Sequence, residues 1–506
     1  MPKINVSVKW SGKKFDNLEL GLFTECYILF PVELTDNARI DTDETPELFK
    51  TQIYSQTGVP PERQKIMVKG GMLKDTTDLN KLGLKDGHVF MMMGTAGELP
   101  KPPSTPVQFI EDMTDAEMAE ALEIPAGLEN LGNTCYMNST LQCLRVMPEL
   151  QESLEKYHGG IGGVDNRGNL TASLRELYKS MSKASEGFPP LVFWQMLRQV
   201  FPQFSQTGQG GVPMQQDAEE CWSELISVLK AKLPQEEGLG KNFIDKYMTG
   251  SMQTEIKCID APEEEGSTTN ESFSKLTCHI SINTNYMMSG IVESLKEEIE
   301  KNSPTLNRTA KYERKSRVSR LPQYLPIQFM RFYWKPVERV KAKILRKVKF
   351  PLEFDATELC TPELQKQFSK AKLKLKEIED KKEEKRREEK RRKIDQETGN
   401  TTTTATESSV KEEEKVDWSQ YIDPELAKDV GCNTTGVYEL CAVLTHVGRS
   451  ADSGHYIAWV KKSNDEWHKF DDDKVSIVKD ADIERLDGGG DWHTAYIVLY
   501  RAKRLE

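Results

Sequence analysis

A chain of 506 residues with 37% hydrophobic and 29% charged side chains can build sizeable cores over about three domains, which excludes a disordered tail protein or a single small binding module. Its net charge of -11 argues against nonspecific nucleic-acid binding and for basic protein partners. Nine scattered cysteines without a Cys-x-x-Cys pair exclude a disulfide scaffold, disfavour a zinc ribbon, and suit a reducing compartment.

In chain order, strand-like runs around Ile4 to Trp10, Lys65 to Lys69 and His88 to Met93 surround a helical stretch from Thr45 to Gln56. So many elements in so few residues predict a compact α+β domain. The apolar run Leu20 to Val32 is 13 residues long and contains Glu25, too short against the roughly 20 residues of a membrane span. No secretory signal opens the chain. Gly94 to Pro106 turns to Gly, Pro, Ser and Thr and reads as a linker.

Beyond about Glu123 the pattern predicts helices first, at Leu141 to Met147, Leu174 to Met181 and Asp217 to Leu229. Strands follow at Tyr438 to His446, Tyr456 to Lys461 and Ala495 to Tyr500. Helices followed by a sheet favour α+β over a doubly wound parallel sheet. Ser369 to Lys393 is dominated by Lys, Glu and Arg, and Thr401 to Glu414 has almost no large apolar residue. Together they predict a solvated helix running into a disordered insertion.

The chemistry concentrates in Gly127 to Leu144. Gly132 permits a tight turn, Asn133 or Thr134 can cap, and Met137, Leu141 and Leu144 follow at helical spacing. This puts Cys135 in the first turn of a helix, where the peptide dipoles favour thiolate over thiol. The partner for such a sulfur comes from far along the chain. The small polar run Ser450 to Gly454 leads into His455, which opens a strand. With Ser463 and Asn464 as the turn, the returning strand places Asp472 opposite His455 and Asp471 opposite Tyr456. An acid at His455 Nδ1 would fix the tautomer while the other nitrogen takes the thiol proton. Spacing alone does not separate Asp471 from Asp472. Asn130, in the loop before Cys135, is a candidate oxyanion donor together with the Cys135 backbone N–H.

These residues resemble the ubiquitin-specific cysteine proteases. Gly127 to Leu144 is similar to their cysteine box, Gln215-Gln216-Asp217-Ala218 to their Gln-Gln-Asp-Ala box, and Gly454-His455-Tyr456 with Phe470-Asp471-Asp472 to their histidine box. The resemblance implies a papain-like fold of fingers, palm and thumb over 125–502, with 369–416 as a charged insertion. It implies cleavage after the C-terminal glycine of ubiquitin, with Cys135 as nucleophile, His455 as base, Asp471 orienting His455, and Asn130 at the oxyanion. Gln216, Asp217, Ser453, Gly454 and Tyr456 would line the substrate path. No cofactor or metal is implied, the fingers being held without zinc.

Pro60 to Asp75 aligns without gaps on a stretch of ubiquitin, so 1–94 resembles a ubiquitin-like β-grasp domain, with Met67 in its apolar interaction patch and 95–124 as linker. The segment 21–40 departs from that pattern as an atypical insertion. Gly94-Thr-Ala-Gly continues into more chain, so no free diglycine tail exists and the domain reads as a docking handle. This layout resembles the family members that work at the proteasome. It implies ubiquitin, polyubiquitinated proteins and the 26S regulatory particle as partners, no nucleic acid or membrane, a cytoplasmic setting with access to the nucleus, and low activity when free because loops such as Gly448 to Gly454 cover the cleft.

Overall fold

The computed structural model describes residues 6–11, 13–16, 45–68, 71–77, 79–85, 88–95, 124–184, 187–235, 240–335, 340–397, 416–450 and 453–505. The chain divides into two compact units, Met1–Phe109 and Ile110–Glu506. The apolar run at 20–32, the segment 21–40 and the polar stretch 401–414 lie outside the described residues.

The first unit is a five-stranded sheet of β1 (Val6–Trp10), β2 (Lys13–Asp16), β3 (Lys65–Val68), β4 (Gly71–Met72) and β5 (His88–Met93), in the order β2-β1-β5-β3-β4. The central pair β1–β5 is parallel. A helix over Pro46–Thr57 starts on proline, whose fixed φ suits the first helical position. It ends at Gly58, in the left-handed region at φ 68. Phe49 and Ile53 on this helix are buried with Val8, Ile66, Phe90 and Met92 of the sheet. Alternation along β5 puts Phe90 and Met92 in this core and leaves Val89, Met91 and Met93 facing outward.

The second unit begins with five helices: Cys135–Arg145, Pro148–Glu155, Asn166–Met181, Leu191–Val200 and Ala218–Lys232. Its strands then run β6 (Gly250–Cys258), β7 (Ser267–Phe273), β8 (Leu276–Cys278), β9 (Lys296–Ser303), β10 (Arg308–Arg320), β11 (Tyr324–Phe329), β12 (Phe332–Lys335), β13 (Val340–Lys343) and β14 (Glu353–Asp355). After a long helix come β15 (Val437–Val447), β16 (His455–Ser463), β17 (Glu466–Asp471), β18 (Lys474–Lys479) and β19 (Thr494–Ala502). The main sheet has the order β18-β17-β16-β15-β19-β11-β8, with β14 added beside β15.

Both faces of this sheet are covered. Tyr456, Ala458 and Phe470 pack with Met137, Leu141 and Trp222 of the helices. The intervening Ile457, Trp459 and Trp467 join Ile327, Phe329 and Val443 in a second core. The helix start at Cys135 is therefore pressed against the same strand that begins with His455.

A separate antiparallel sheet, β7-β6-β10-β9, extends from this body. Its far end has a small core of Cys258, Ala261, Ala310 and Tyr312. There Glu264 accepts hydrogen bonds from both the Tyr312 and Ser303 hydroxyls.

The helix expected around Ser369 to Lys393 spans Pro362–Glu397. Its first half is not solvated: Leu364, Phe368, Ala371 and Leu375 recur at helical spacing and are buried in the body. From Asp380 to Glu388 every side chain is exposed. Among the described residues no helix is long and apolar enough to cross a membrane.

Candidate active site

Cys135 is the first residue of its helix and is buried. The loop before it is ordered by Asn130, not by a cap from Asn133 or Thr134. Asn130 Oδ1 accepts from the backbone N–H of Gly132 at 2.9 Å and of Thr134 at 3.2 Å. Thr134 is the N-cap residue but makes no side-chain cap bond. Asn133 instead takes a left-handed φ of 53, and its amide donates to Pro213 O at 2.9 Å.

The sulfur accepts a hydrogen bond from Tyr456 N at 3.5 Å and from Gln215 Nε2 at 3.3 Å. The first N–H groups of a helix lack intrahelical partners, so the Cys135 backbone N–H is a donor at this same point.

The histidine arrives on a hairpin whose register differs from the expected one. The observed pairs are Ala458↔Phe470, Trp459↔Lys469, Val460↔His468 and Lys461↔Trp467, with a register shift before Ser463↔Glu466. The turn is Asn464-Asp465, with Asn464 at φ 39, and the irregularity at Lys462 offsets the ladder by one residue. Continued toward the strand ends, this register sets Asp471 opposite Ile457 and on the same sheet face as His455, one diagonal step away. The shift thereby separates the two carboxylates that spacing had left open. His455 Nε2 lies 2.7 Å from Asp471 Oδ1 and 3.9 Å from Asp472 Oδ2. It is Nε2, not Nδ1 as expected, that meets the acid, which leaves Nδ1 for the thiol side of the ring.

Asp472 leaves the strand at φ 54, in the two-residue turn between β17 and β18. Its carboxylate accepts from Asn130 Nδ2 at 2.8 Å and from Asn138 Nδ2 at 2.9 Å. Its carbonyl accepts from Leu128 N at 2.9 Å. Gly127 makes that approach possible, since a Cβ there would sit 2.6 Å from Asp472 O and 2.5 Å from Asp473 O.

The electrostatics separate the two acids. The hydrogen bond to Asp471, with the nearby Cys135 sulfur as the second influence, raises the His455 imidazole to about 10. The same His455 bond holds Asp471 down at about 2, with Lys469 helping at 3.3 Å. Burial raises Asp472 despite its two amide bonds. The arrangement is chemically a thiol with an imidazole that holds a proton readily, a charged acid behind it, and amide donors on the loop. It can move a proton from sulfur to ring and support negative charge beside Cys135.

Other expected residues scatter. Tyr456 contributes its backbone N–H to the sulfur, and its ring is buried. Gly454 lies at φ 125, where a Cβ would meet Val447 O at 2.1 Å; Ser453 beside it is exposed. Asp217 serves the fold, capping its helix through Glu219 N and accepting from Tyr496 Oη at 2.8 Å. Gln216 is turned toward Met214 O at 3.5 Å, and its neighbour Gln215 is the one on the sulfur. Gln215, Asn138 and the bridging role of Asp472 were missed in the sequence. Asn138 lies three residues after Cys135 and so on the same side of the helix, a signal that was available.

Two segments join just past the end of β15. Lys343 N donates to Arg449 O at 3.0 Å, and Ala342 bridges to Ser450. The Lys343 amine, lowered to about 7 by burial, donates to His446 O at 2.5 Å.

The chain is similar to known proteins along nearly its whole length. The family profile described as "Ubiquitin carboxyl-terminal hydrolase" matches residues 126–500, and the one described as "Ubiquitin family" matches 35–97. Ubiquitin carboxyl-terminal hydrolase 6 of Arabidopsis thaliana is 42% identical over 502 residues, covering 98% of each chain. Ubiquitin carboxyl-terminal hydrolase 6 of Schizosaccharomyces pombe is 44% identical over 506 residues, covering 99% of each. Ubiquitin carboxyl-terminal hydrolase 14 of Caenorhabditis elegans is 34% identical, covering 92% of this chain and 90% of its own.

Proposed function

This chain belongs to the ubiquitin carboxyl-terminal hydrolase family, a cysteine-type deubiquitinase with a ubiquitin-like domain ahead of it, and from that premise we propose how its residues divide the work. Cys135 is the nucleophile. His455 takes the thiol proton on the nitrogen turned away from Asp471, and Sγ attacks the carbonyl carbon of the last glycine of ubiquitin. The second N–H of Asn130 and the Cys135 backbone N–H support the oxyanion. Collapse releases the lysine amine with the proton from His455 and leaves a thioester. A water molecule, deprotonated by His455, then resolves it.

The observation that carries this reading is the 2.7 Å contact of His455 with Asp471, on a strand whose next residue, Tyr456, donates its backbone N–H to the Cys135 sulfur. Cys135→Ser is expected to abolish release of a fluorophore from the ubiquitin C-terminus. Retained turnover would refute the nucleophile assignment.

The finer reading is that this deubiquitinase works on substrates held at the 26S proteasome, docking its ubiquitin-like unit on the regulatory particle, in the cytoplasm and nucleus. The β-grasp order of that unit and its lack of a diglycine end support a handle rather than a conjugated tag. Low activity of the free chain is supported by the Lys343–Arg449 and Ala342–Ser450 contacts, which tie Arg449 and Ser450 to β13. Labelling of Cys135 by a ubiquitin electrophile should rise when purified proteasomes are added. Equal labelling with and without them would overturn activation by docking and leave the hydrolase reading intact.

A further inference from the structure

Four thioethers cluster on the outward face of the N-terminal sheet. Met67 on β3 pairs directly with Met72 on β4 and with Met91 on β5, so the three side chains share one face. Met93, two residues along β5 from Met91, continues the row opposite Lys65. These four methionines are 46%, 53%, 58% and 58% exposed, in the order Met67, Met72, Met91 and Met93, while Met92 between the last two is 4% exposed and in the core.

A flexible, polarizable thioether suits an adaptable apolar contact surface. It is also the apolar side chain that an oxidant readily converts to a polar one. Leucine or isoleucine would give the same apolar cover without that liability.

We infer that Met67, Met72, Met91 and Met93 form a reversible oxidation site, at which methionine sulfoxide formation releases the ubiquitin-like unit from its docking partner. The inference rests on the docking reading above. In the step, a sulfur lone pair attacks one oxygen of hydrogen peroxide, the O–O bond breaks, and the other oxygen leaves as water after proton transfer. Sulfur is oxidised to the sulfoxide and the peroxide is reduced. A dithiol reductant reverses it through a methionine sulfoxide reductase, the oxygen leaving as water and the dithiol becoming a disulfide. A sulfoxide at the centre of the face must give up its bonds to water when a partner covers it, which opposes docking. Met92, shielded in the core, is spared.

The test uses the full chain carrying Cys135→Ala, so that the reactive thiol does not consume the oxidant, and purified proteasome regulatory particle. Peroxide is expected to place sulfoxide on Met67, Met72, Met91 and Met93 before Met92, as read by peptide mass spectrometry, and to weaken binding at least tenfold. Methionine sulfoxide reductase with dithiol should restore it. The same chain with all four changed to Leu, or with Met67→Leu and Met91→Leu alone should the fourfold variant fold poorly, is expected to bind normally and to resist peroxide. Unchanged binding with the four sulfoxides in place would overturn the inference, and so would equal loss in the Leu variants. Failure of the untreated chain to bind at all would sink the docking reading first, and this inference with it.

Discussion

The helix start at Cys135 and the hairpin end at Asp471-Asp472 meet in one site but are held by different forces. From Cys135 to Leu144 every residue of the helix is buried, so the sulfur is placed by packing. The hairpin end is half open to water: His455 and Asp471 are partly exposed and are joined by a charged hydrogen bond. A nucleophile fixed by a core and a base fixed by charge should respond differently to mutation and to pH. Changes on the helix side should cost stability, and changes on the hairpin side should move the pH profile.

The largest effect that would break this contrast is at Asp471. Asp471→Asn removes the main support of the His455 charge, and kcat/KM is expected to fall roughly 10²- to 10⁴-fold. The sign of the pH effect follows from the shifts. His455 is raised to about 10, so its stabilisation of the fold is complete below its unfolded value of about 6.5 and is lost as pH rises through about 10. Asp471 is lowered to about 2, so its contribution is present above about 3.9 and is lost as pH falls through about 2. In the Asn variant the alkaline limb of kcat/KM should move down from about 10. An unmoved limb would mean that Asp471 does not set the His455 charge.

Gly127→Ala probes the packed side. The new methyl would fall within 2.7 Å of the Asp472 and Asp473 carbonyl groups, both backbone, so the loop must give way. A loss of about 1–3 kcal/mol is expected, read as a lower denaturant midpoint at unchanged slope. Stability equal to that of the native chain would show that the loop and hairpin are not in tight contact.

What the sequence revealed follows the same division. Cys135 was legible because a helix start is local: a turn glycine, polar residues, then apolar residues at 3.6 spacing. The hairpin was only partly legible. Alternation specifies register when one face is polar, but here Val460 and Trp459 lie on opposite faces of β16 and both are buried. Either register therefore looked equally good. The irregularity at Lys462 leaves no trace in the residue pattern, and it decides which aspartate reaches the ring. Gln215 was missed for a related reason, since it lies in a loop where no periodicity distinguishes it from Gln216. The outward methionines of β5 were hidden in a run, Val89 to Met93, that is apolar at every position.

Asp472→Asn sharpens the comparison at the point where the two regions touch. Both Asp472 oxygens accept amide N–H groups, from Asn130 and Asn138, and an Asn side chain must turn an NH₂ toward one of them. Loss of one such bond is worth roughly tenfold in kcat. KM for ubiquitin should be preserved, because the change acts on the loop behind Cys135. A larger KM with normal kcat would instead place Asp472 in substrate binding.

The smallest expected effect is at Gln215. Its amide donates to Cys135 Sγ at 3.3 Å, and Tyr456 N donates to the same sulfur from the strand side. One is a side chain from a loop, free to turn away when substrate arrives. The other is backbone and cannot leave. A bond kept only in the resting enzyme stabilises the ground state, so removing it would leave kcat unchanged or slightly raised. A bond kept as charge develops on sulfur would lower kcat when removed. The sulfur already has the backbone donor, so Gln215→Ala is expected to change kcat no more than about threefold, within the roughly 0.5–1.5 kcal/mol of one neutral hydrogen bond. Single-turnover acylation measured for Gln215→Ala beside Gln216→Ala checks this. A hundredfold loss confined to Gln215→Ala would show that the loop amide, and not the helix start with the Tyr456 backbone, holds the nucleophile in its reactive form.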